Sequence, residues 1–164
     1  KPIKASAKTV TVPAKITVGG GTYTVISIAD KAFRNNKKIT RVTVGSGVKT
    51  IGANAFYGCG KLSTLTLGKN VTAIGANAFG KCAVLKKLTV PAKVAKIGKQ
   101  AFYGCKKLKT ITVKTTKLKK SSVGTKAFMG IHANAVIKVP KSKLKAYKSI
   151  FKACGAGKKV KIKK

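Results

Sequence analysis

Acidic groups are all but missing from this chain. Among 164 residues there is no glutamate and a single aspartate, Asp30, against 37 lysines and arginines. That excludes catalysis by paired carboxylates, which needs two of them flanking one bond. It also excludes calcium or magnesium cages, which are built from clustered oxygen ligands. Tryptophan is absent, arginine is limited to Arg34 and Arg41, and histidine to His132. Specific reading of nucleic acid draws on arginine forks and stacking aromatics, so none is expected. The four cysteines, Cys59, Cys82, Cys105 and Cys154, form no Cys-x-x-Cys pair, so the usual zinc and thioredoxin signatures are missing. No apolar run approaches the roughly 20 residues that cross a bilayer. No catalytic residue, metal or cofactor is expected.

What the chain has instead is positive charge, +36 in all, with 22 of its 35 lysines in residues 93–164. A charge this one-sided keeps a protein soluble and attracts polyanions over a Debye length of ~8 Å at physiological salt. It leaves almost no partners for surface ion pairs, so stability has to come from packing and backbone hydrogen bonds. A hydrophobic fraction of 44% suffices for one domain with a sizeable core. The chain opens at Lys1 with neither an initiator methionine nor a signal-peptide pattern. It is expected to be a processed or truncated piece of a longer protein.

Internal repetition decides the architecture. Ala-Phe recurs at Ala32-Phe33, Ala55-Phe56, Ala78-Phe79, Ala101-Phe102 and Ala127-Phe128, at intervals of 23, 23, 23 and 26 residues. Apolar columns keep the same phase: Ile28, Ile51, Ile74, Ile97 and Val123; Ile39, Leu62, Leu85 and Leu108; Val42, Leu65, Leu88, Ile111 and Ile137; Val44, Leu67, Val90, Val113 and Val139. Gly52, Gly75, Gly98 and Gly124 recur too, and point to a turn that needs positive φ or a close backbone approach.

Each unit contains an alternating segment such as Leu65-Thr66-Leu67, the period of a half-buried strand. The Ala-Phe-x-x-Cys segment fits one turn of α or 3₁₀ helix, with Asn54 and Asn77 placed to cap it. A second short extended piece, as in Val71–Ile74, falls on the opposite side. Stacked units share one core, and parallel crossovers between them are right-handed in nearly all cases. At the start, Thr9–Val12, Ile16–Val18 and Thr22–Ile28 read as strands around a glycine-rich hairpin turn. At the end, Leu144, Tyr147, Ile150, Phe151 and Cys154 mark one face of a helix running from about Ser142 and stopped by Gly155 to Gly157. Val160 and Ile162 then alternate with lysines as a final edge strand.

The unit Val71–Val90, VTAIGANAFGKCAVLKKLTV, resembles the BspA-type leucine-rich repeat, Ile-Gly-x-x-Ala-Phe-x-x-Cys-x-x-Leu-x-x-Leu-x-Leu/Val. The resemblance covers residues 25–140, and the flanks look like the caps that accompany such repeats. Asn36 replaces the recurrent cysteine in the first unit. The last unit is stretched by three residues, with Ile131 in the cysteine column and Asn134 in a leucine column. The expectation is an α/β right-handed leucine-rich-repeat solenoid of about five 23-residue units. A parallel sheet would line its concave face, with short helical or 3₁₀ turns and short strands elsewhere. The chain 1–164 would be one domain: an N-terminal β cap over 1–27, repeats over 28–140 and a C-terminal helix–strand cap over 141–164. The resemblance implies a secreted or cell-surface bacterial protein that binds protein or polysaccharide, with no shared catalytic residues.

In such a stack His132 and Asp30 sit about four units apart, on the order of 20 Å at one strand spacing per unit, so no Ser-His-Asp triad can form. Cys59, Cys82 and Cys105 would stack as small buried hydrophobes, three ligands being too few for a structural zinc. His132 reads as a solvated turn residue. The concave columns read Thr43, Thr66, Thr89, Thr112 and Lys138, and Arg41, Thr64, Lys87, Thr110 and Val136. They form a threonine ladder with a few cations, either a ligand face or only the residue favoured on exposed strands. Loops, the convex side and the C-terminal cap collect Lys93, Lys96, Lys99, Lys106, Lys107, Lys117, Lys119, Lys120, Lys141, Lys143, Lys145 and Lys148. These lysines either grip an anionic polymer such as teichoic acid, sulfated glycan or acidic mucin, or merely solvate the surface. The protein is expected to be a monomer with no specific nucleic-acid partner and no membrane span.

Overall fold

A computed structural model describes residues 7–164; the first six residues of the expected N-terminal cap lie outside the described residues. The chain forms short strands β1 (Thr9–Val12), β2 (Lys15–Val18), β3 (Gly21–Thr24), β4 (Ser27–Ile28), β5 (Arg41–Val44), β6 (Thr50–Ile51), β7 (Thr64–Thr66) and β8 (Ala73–Ile74). It continues through β9 (Lys87–Val90), β10 (Lys96–Ile97), β11 (Thr110–Val113), β12 (Val136–Lys138), the helix α1 (Leu144–Ala153) and β13 (Lys161–Lys163).

The strands sort into two parallel faces and a hairpin. The front face carries the orders β1-β5-β7 and β9-β11-β12-β13, and the back face the order β4-β6-β8-β10. Val123 continues the back face by a bridge to Ile97. Among the described residues only β2 and β3 pair antiparallel. The apolar columns read from the sequence are in register: Val10 faces Val42, which faces Leu65, and Leu88, Ile111, Ile137 and Ile162 align beyond them. On the back, Ile28, Ile51, Ile74 and Ile97 align in the same way. The alternation inside each strand thus turns one side inward to a single buried core and the other outward. Along the front face, β7 and β9 belong to separate sheets, so the front ladder is interrupted there while the back ladder runs on.

The third side of each layer departs from expectation. Ala-Phe-x-x-Cys forms consecutive turns and no helix. Asn54 and Asn77 are not caps: their φ values are 56° and 54°, in the left-handed region. The same position is left-handed in Lys31, Gln100 and Lys126, and four residues later so are Asn35, Gly58, Lys81, Gly104 and Gly130. A left-handed residue on each side of the phenylalanine stops a helix from propagating, and asparagine tolerates that conformation better than most residues with a Cβ. The N–H groups then divide between two destinations. Ala55, Tyr57 and Cys59 bond within their own layer, to the carbonyls of Gly52, Asn54 and Phe56. Asn54, Phe56 and Gly58 bond forward to Ala76, Ala78 and Gly80, each at 2.8 Å. The recurrent glycine answers to the second of its two readings. Gly52, Gly75, Gly98 and Gly124 have no positive φ, but a Cβ on Gly98 would stand 2.4 Å from the backbone nitrogen of Ala76. Glycine is there because adjacent layers touch at the backbone.

Inside, Phe33, Phe56, Phe79, Phe102 and Phe128 form a nearly parallel stack with centroid steps of 4.9, 5.3, 5.5 and 5.4 Å. Each such pair contributes about 0.5–1.5 kcal/mol beyond the area it buries. At the end of the chain a 3₁₀ turn, Lys141–Lys143, leads into α1, which starts at Leu144 rather than about Ser142. Helix α1 buries Tyr147, Ile150 and Phe151. The Tyr147 hydroxyl donates to the Thr115 carbonyl at 3.0 Å and accepts the Leu118 N–H at 3.1 Å. Those bonds pin the loop that carries the three-residue insertion.

Candidate binding site

The outward columns of the front face are the first candidate surface. Arg41 aligns with Thr64 and Thr43 with Thr66; Lys87, Thr110 and Val136 align, as do Thr89, Thr112 and Lys138. Arg41, Thr66, Lys87, Thr89 and Lys138 are exposed, whereas Thr43, Thr64, Thr110 and Thr112 are half-buried. The structure extends both columns beyond the positions read from the sequence. Thr9 and Thr11 on β1 precede Arg41 and Thr43, and Lys161 and Lys163 on β13 follow Val136 and Lys138. The signal was present, since Thr9–Val12 and Lys161–Lys163 alternate like the repeat strands. The face therefore grades from threonine at its N-terminal edge to lysine at its C-terminal edge.

The lysines singled out on the other surfaces are exposed, apart from the half-buried Lys143, but they do not converge on one place. Lys96 lies on the back strand β10, Lys117 and Lys119 on the loop after β11, Lys141 and Lys143 on the 3₁₀ turn, and Lys145 and Lys148 on α1. Lys120 opens a short 3₁₀ turn and Lys99 follows the close-contact Gly98. Lys93 is tied down: its ammonium donates to Asn70 Oδ1 at 2.8 Å.

Lys106 and Lys107 are different. Lys107, with Lys86, Lys87, Lys109, Thr110 and His132, lines a depression of about 460 Å³. Lys106, with Lys81, Ala83, Tyr103, Met129 and Gly130, lines a second of about 430 Å³. Three of the basic groups in the first, Lys86, Lys109 and His132, were missed in the sequence, because they come from neighbouring layers and from the loop after the last Ala-Phe. His132 is half-buried rather than simply solvated, and its Nδ1 accepts the Asn134 N–H at 3.1 Å. A smaller depression of about 190 Å³ opens at the break in the front ladder, among Ser63, Thr64, Leu65, Lys86 and Lys87.

The cysteines are packing residues with one directional bond each. The thiols of Cys59, Cys82 and Cys105 donate to the carbonyls of Phe33, Phe56 and Phe79 in the preceding layer, at 3.1, 3.3 and 3.2 Å. Burial pushes the Cys59 thiol up to about 11 and the Cys105 thiol to about 12, and raises Cys82 as well. A thiol held protonated is neither nucleophile nor ligand. Asp30 also has a structural task, its carboxylate accepting the Ala53 N–H at 2.7 Å. Among the described residues no helix is long and apolar enough to cross a membrane.

Known proteins resemble the chain in the repeat and in the fold. A sequence profile described as "BspA type Leucine rich repeat region" matches residues 21–121 in six copies. A leucine-rich repeat protein from Bacteroides capillosus superposes with a TM-score of 0.57 at 33% identity, over 65% of this chain and 77% of that one. The pneumococcal vaccine antigen PcpA gives 0.58 at 17% identity, over 94% of this chain and 55% of its own. A leucine rich cell surface protein from Faecalibacterium prausnitzii gives 0.54 at 24% identity, over 96% of this chain and 48% of its own. None of the curated proteins matches.

Proposed function

Because this chain belongs to the BspA-type leucine-rich repeat family, we propose that it is a non-catalytic binding or adhesion module, secreted or at the bacterial cell surface, that recognises a protein or polysaccharide. The observation that carries this reading is the front face, where two outward columns continue in register from β1 to β7 and from β9 to β13. A periodic, rigidly backed polar surface is what extended recognition uses, and the chain lacks the paired titratable groups that chemistry needs. The description of one similar structure as a cell surface protein supports the location. Residues 1–164 then act as one monomeric domain, repeats over 28–140 flanked by closing segments. The test is a glycan array together with a pull-down from matrix proteins. A ligand in either supports the module; silence in both, from a folded sample, leaves a passive spacer and overturns it.

A second reading is favoured by the depression lined by Lys86, Lys87, Lys107 and Lys109. Here the protein holds anionic polymers through its lysines, with nucleic acid bound only nonspecifically. Heparin, teichoic acid and DNA should then all bind weakly, with affinity falling steeply as salt rises. Affinity indifferent to ionic strength overturns it.

A further inference from the structure

We propose that the two depressions joined at Lys106 and Lys107 form one binding site for an acidic polysaccharide, with a sugar ring against Tyr103 and Met129 and its carboxylate or sulfate among Lys86, Lys107 and Lys109. The site rests on the binding-module reading and gives it a ligand class. Lys106 lines one depression and its chain neighbour Lys107 the other, so successive residues of one stretch of backbone border both. That stretch is fixed in place, because Lys107 N–H donates to the Ala83 carbonyl of the preceding layer at 3.0 Å.

The two halves differ in chemistry. One end offers an aromatic ring and the thioether of Met129, which is 42% exposed. The other gathers cations from two successive layers, among them Lys86 and Lys109, which occupy the same position one repeat apart. No acidic side chain lies nearby to compete, the only one in the sequence being Asp30 in the first layer. An apolar platform beside clustered donors suits a ring that carries C–H groups on its face and an anion at its edge. Arrays of cations alone would not need the platform.

A nucleic acid fits less well. Single strands are held by successive aromatic faces, and this side of the molecule offers one. Tyr57, in the same column as Tyr103, has its ring taken by Arg34 at 5.7 Å and Lys81 at 5.6 Å, and Gly80 between them has no side chain. A polyol phosphate would leave Tyr103 unused.

Calorimetry on the full chain tests the site, with a heparin hexasaccharide and a hexagalacturonate as probes and maltohexaose and oligo-dT as comparisons. K107A/K109A should weaken both acidic sugars about tenfold or more, tenfold being roughly the worth of one hydrogen bond to a charged group. K158A/K159A removes the same charge from the C-terminal segment and should cost less than about threefold, as expected of distant screened charges. Tyr103→Ala should cost about fivefold, with Tyr103→Phe restoring the affinity, since the ring face and not the hydroxyl is used. Equal losses in the two double variants, indifference to Tyr103→Ala, or tighter binding of oligo-dT than of the sugars overturns the site. If the acidic sugars fail while a matrix protein or neutral glycan binds, this site falls and the module reading stands; if nothing binds, both fall.

Discussion

Phe128 and Phe151 meet with ring centroids 5.0 Å apart and planes inclined by 59°, where the four preceding steps of the same stack are tilted by no more than 16°. Phe151 lies on α1, whereas the other rings of the stack lie on turns. Yet it follows Phe128 by one repeat length, and Cys154 stands three residues beyond it as Cys59 does beyond Phe56. The Cys154 thiol donates to the Val123 carbonyl at 3.4 Å, and its carbonyl accepts the Phe128 N–H at 3.0 Å. The helix therefore keeps the spacing of phenylalanine and cysteine but gives them other hydrogen-bond partners than the repeat does.

Phe151→Ala should consequently destabilise the protein by about 3–5 kcal/mol, as for a fully buried aromatic. Chemical denaturation checks the size. Hydrogen exchange should place the loss first in α1 and β13, because layers of a stack are stabilised mainly by their neighbours.

Gly98→Ala should cost more than about 2 kcal/mol, since the new methyl would meet backbone of the preceding layer that cannot move aside. Gly60→Ala is the control. A Cβ there meets nothing within 4 Å, so melting should be unchanged or raised by up to about 1 kcal/mol through the unfolded chain.

Gln100 holds φ at 56° where the equivalent residues in two earlier layers are Asn54 and Asn77. Gln100→Asn should raise stability by roughly 0.5–1 kcal/mol, because asparagine enters the left-handed region more readily. A fall in melting temperature would contradict this account of the column.

The buried thiols make a prediction about alkali. Each is raised from an ordinary value of 9.0, to about 11 for Cys59 and about 12 for Cys105. A raised acid binds its proton more tightly when folded, so its contribution to stability is complete below pH 9.0 and is lost as pH rises through those values. The stability difference between the native chain and Cys59→Ala or Cys105→Ala should shrink over that window, a comparison in which the lysine titrations cancel. At neutral pH the native chain should resist iodoacetamide and react at all four cysteines once unfolded.

How much of this was legible in sequence depended on period. Columns such as Ile28 to Val123, and the outward Thr43, Thr66, Thr89 and Thr112, follow from a fixed repeat and strand alternation; the structure registers the first throughout and the threonines as two pairs, Thr43 with Thr66 and Thr89 with Thr112. The turns around Phe56 were misread because a short apolar segment after asparagine looks like a capped helix. The left-handed φ at Asn54 and Gly58 falls on residue types that favour it, but an asparagine ahead of an apolar segment reads equally as a cap. The groove at Lys107 was half visible: the lysines could be counted, but their meeting with His132 depends on which layers adjoin. The break between β7 and β9 has no sequence signal that we recognise.

The forward bonds of the turn side have a directional consequence. There Asn54, Phe56 and Gly58 donate to the layer that follows, the next two layers repeat the arrangement, and Phe128 continues it onto the C-terminal segment. One end of that side presents acceptors and the other spends its last donor on α1. The stack is thus a polar object, like a filament with unlike ends. Two copies meeting first layer to first layer would set carbonyl against carbonyl along this side. At the far end the Phe128 N–H is already taken by the Cys154 carbonyl, so the C-terminal segment stops the stack from continuing head to tail along this side.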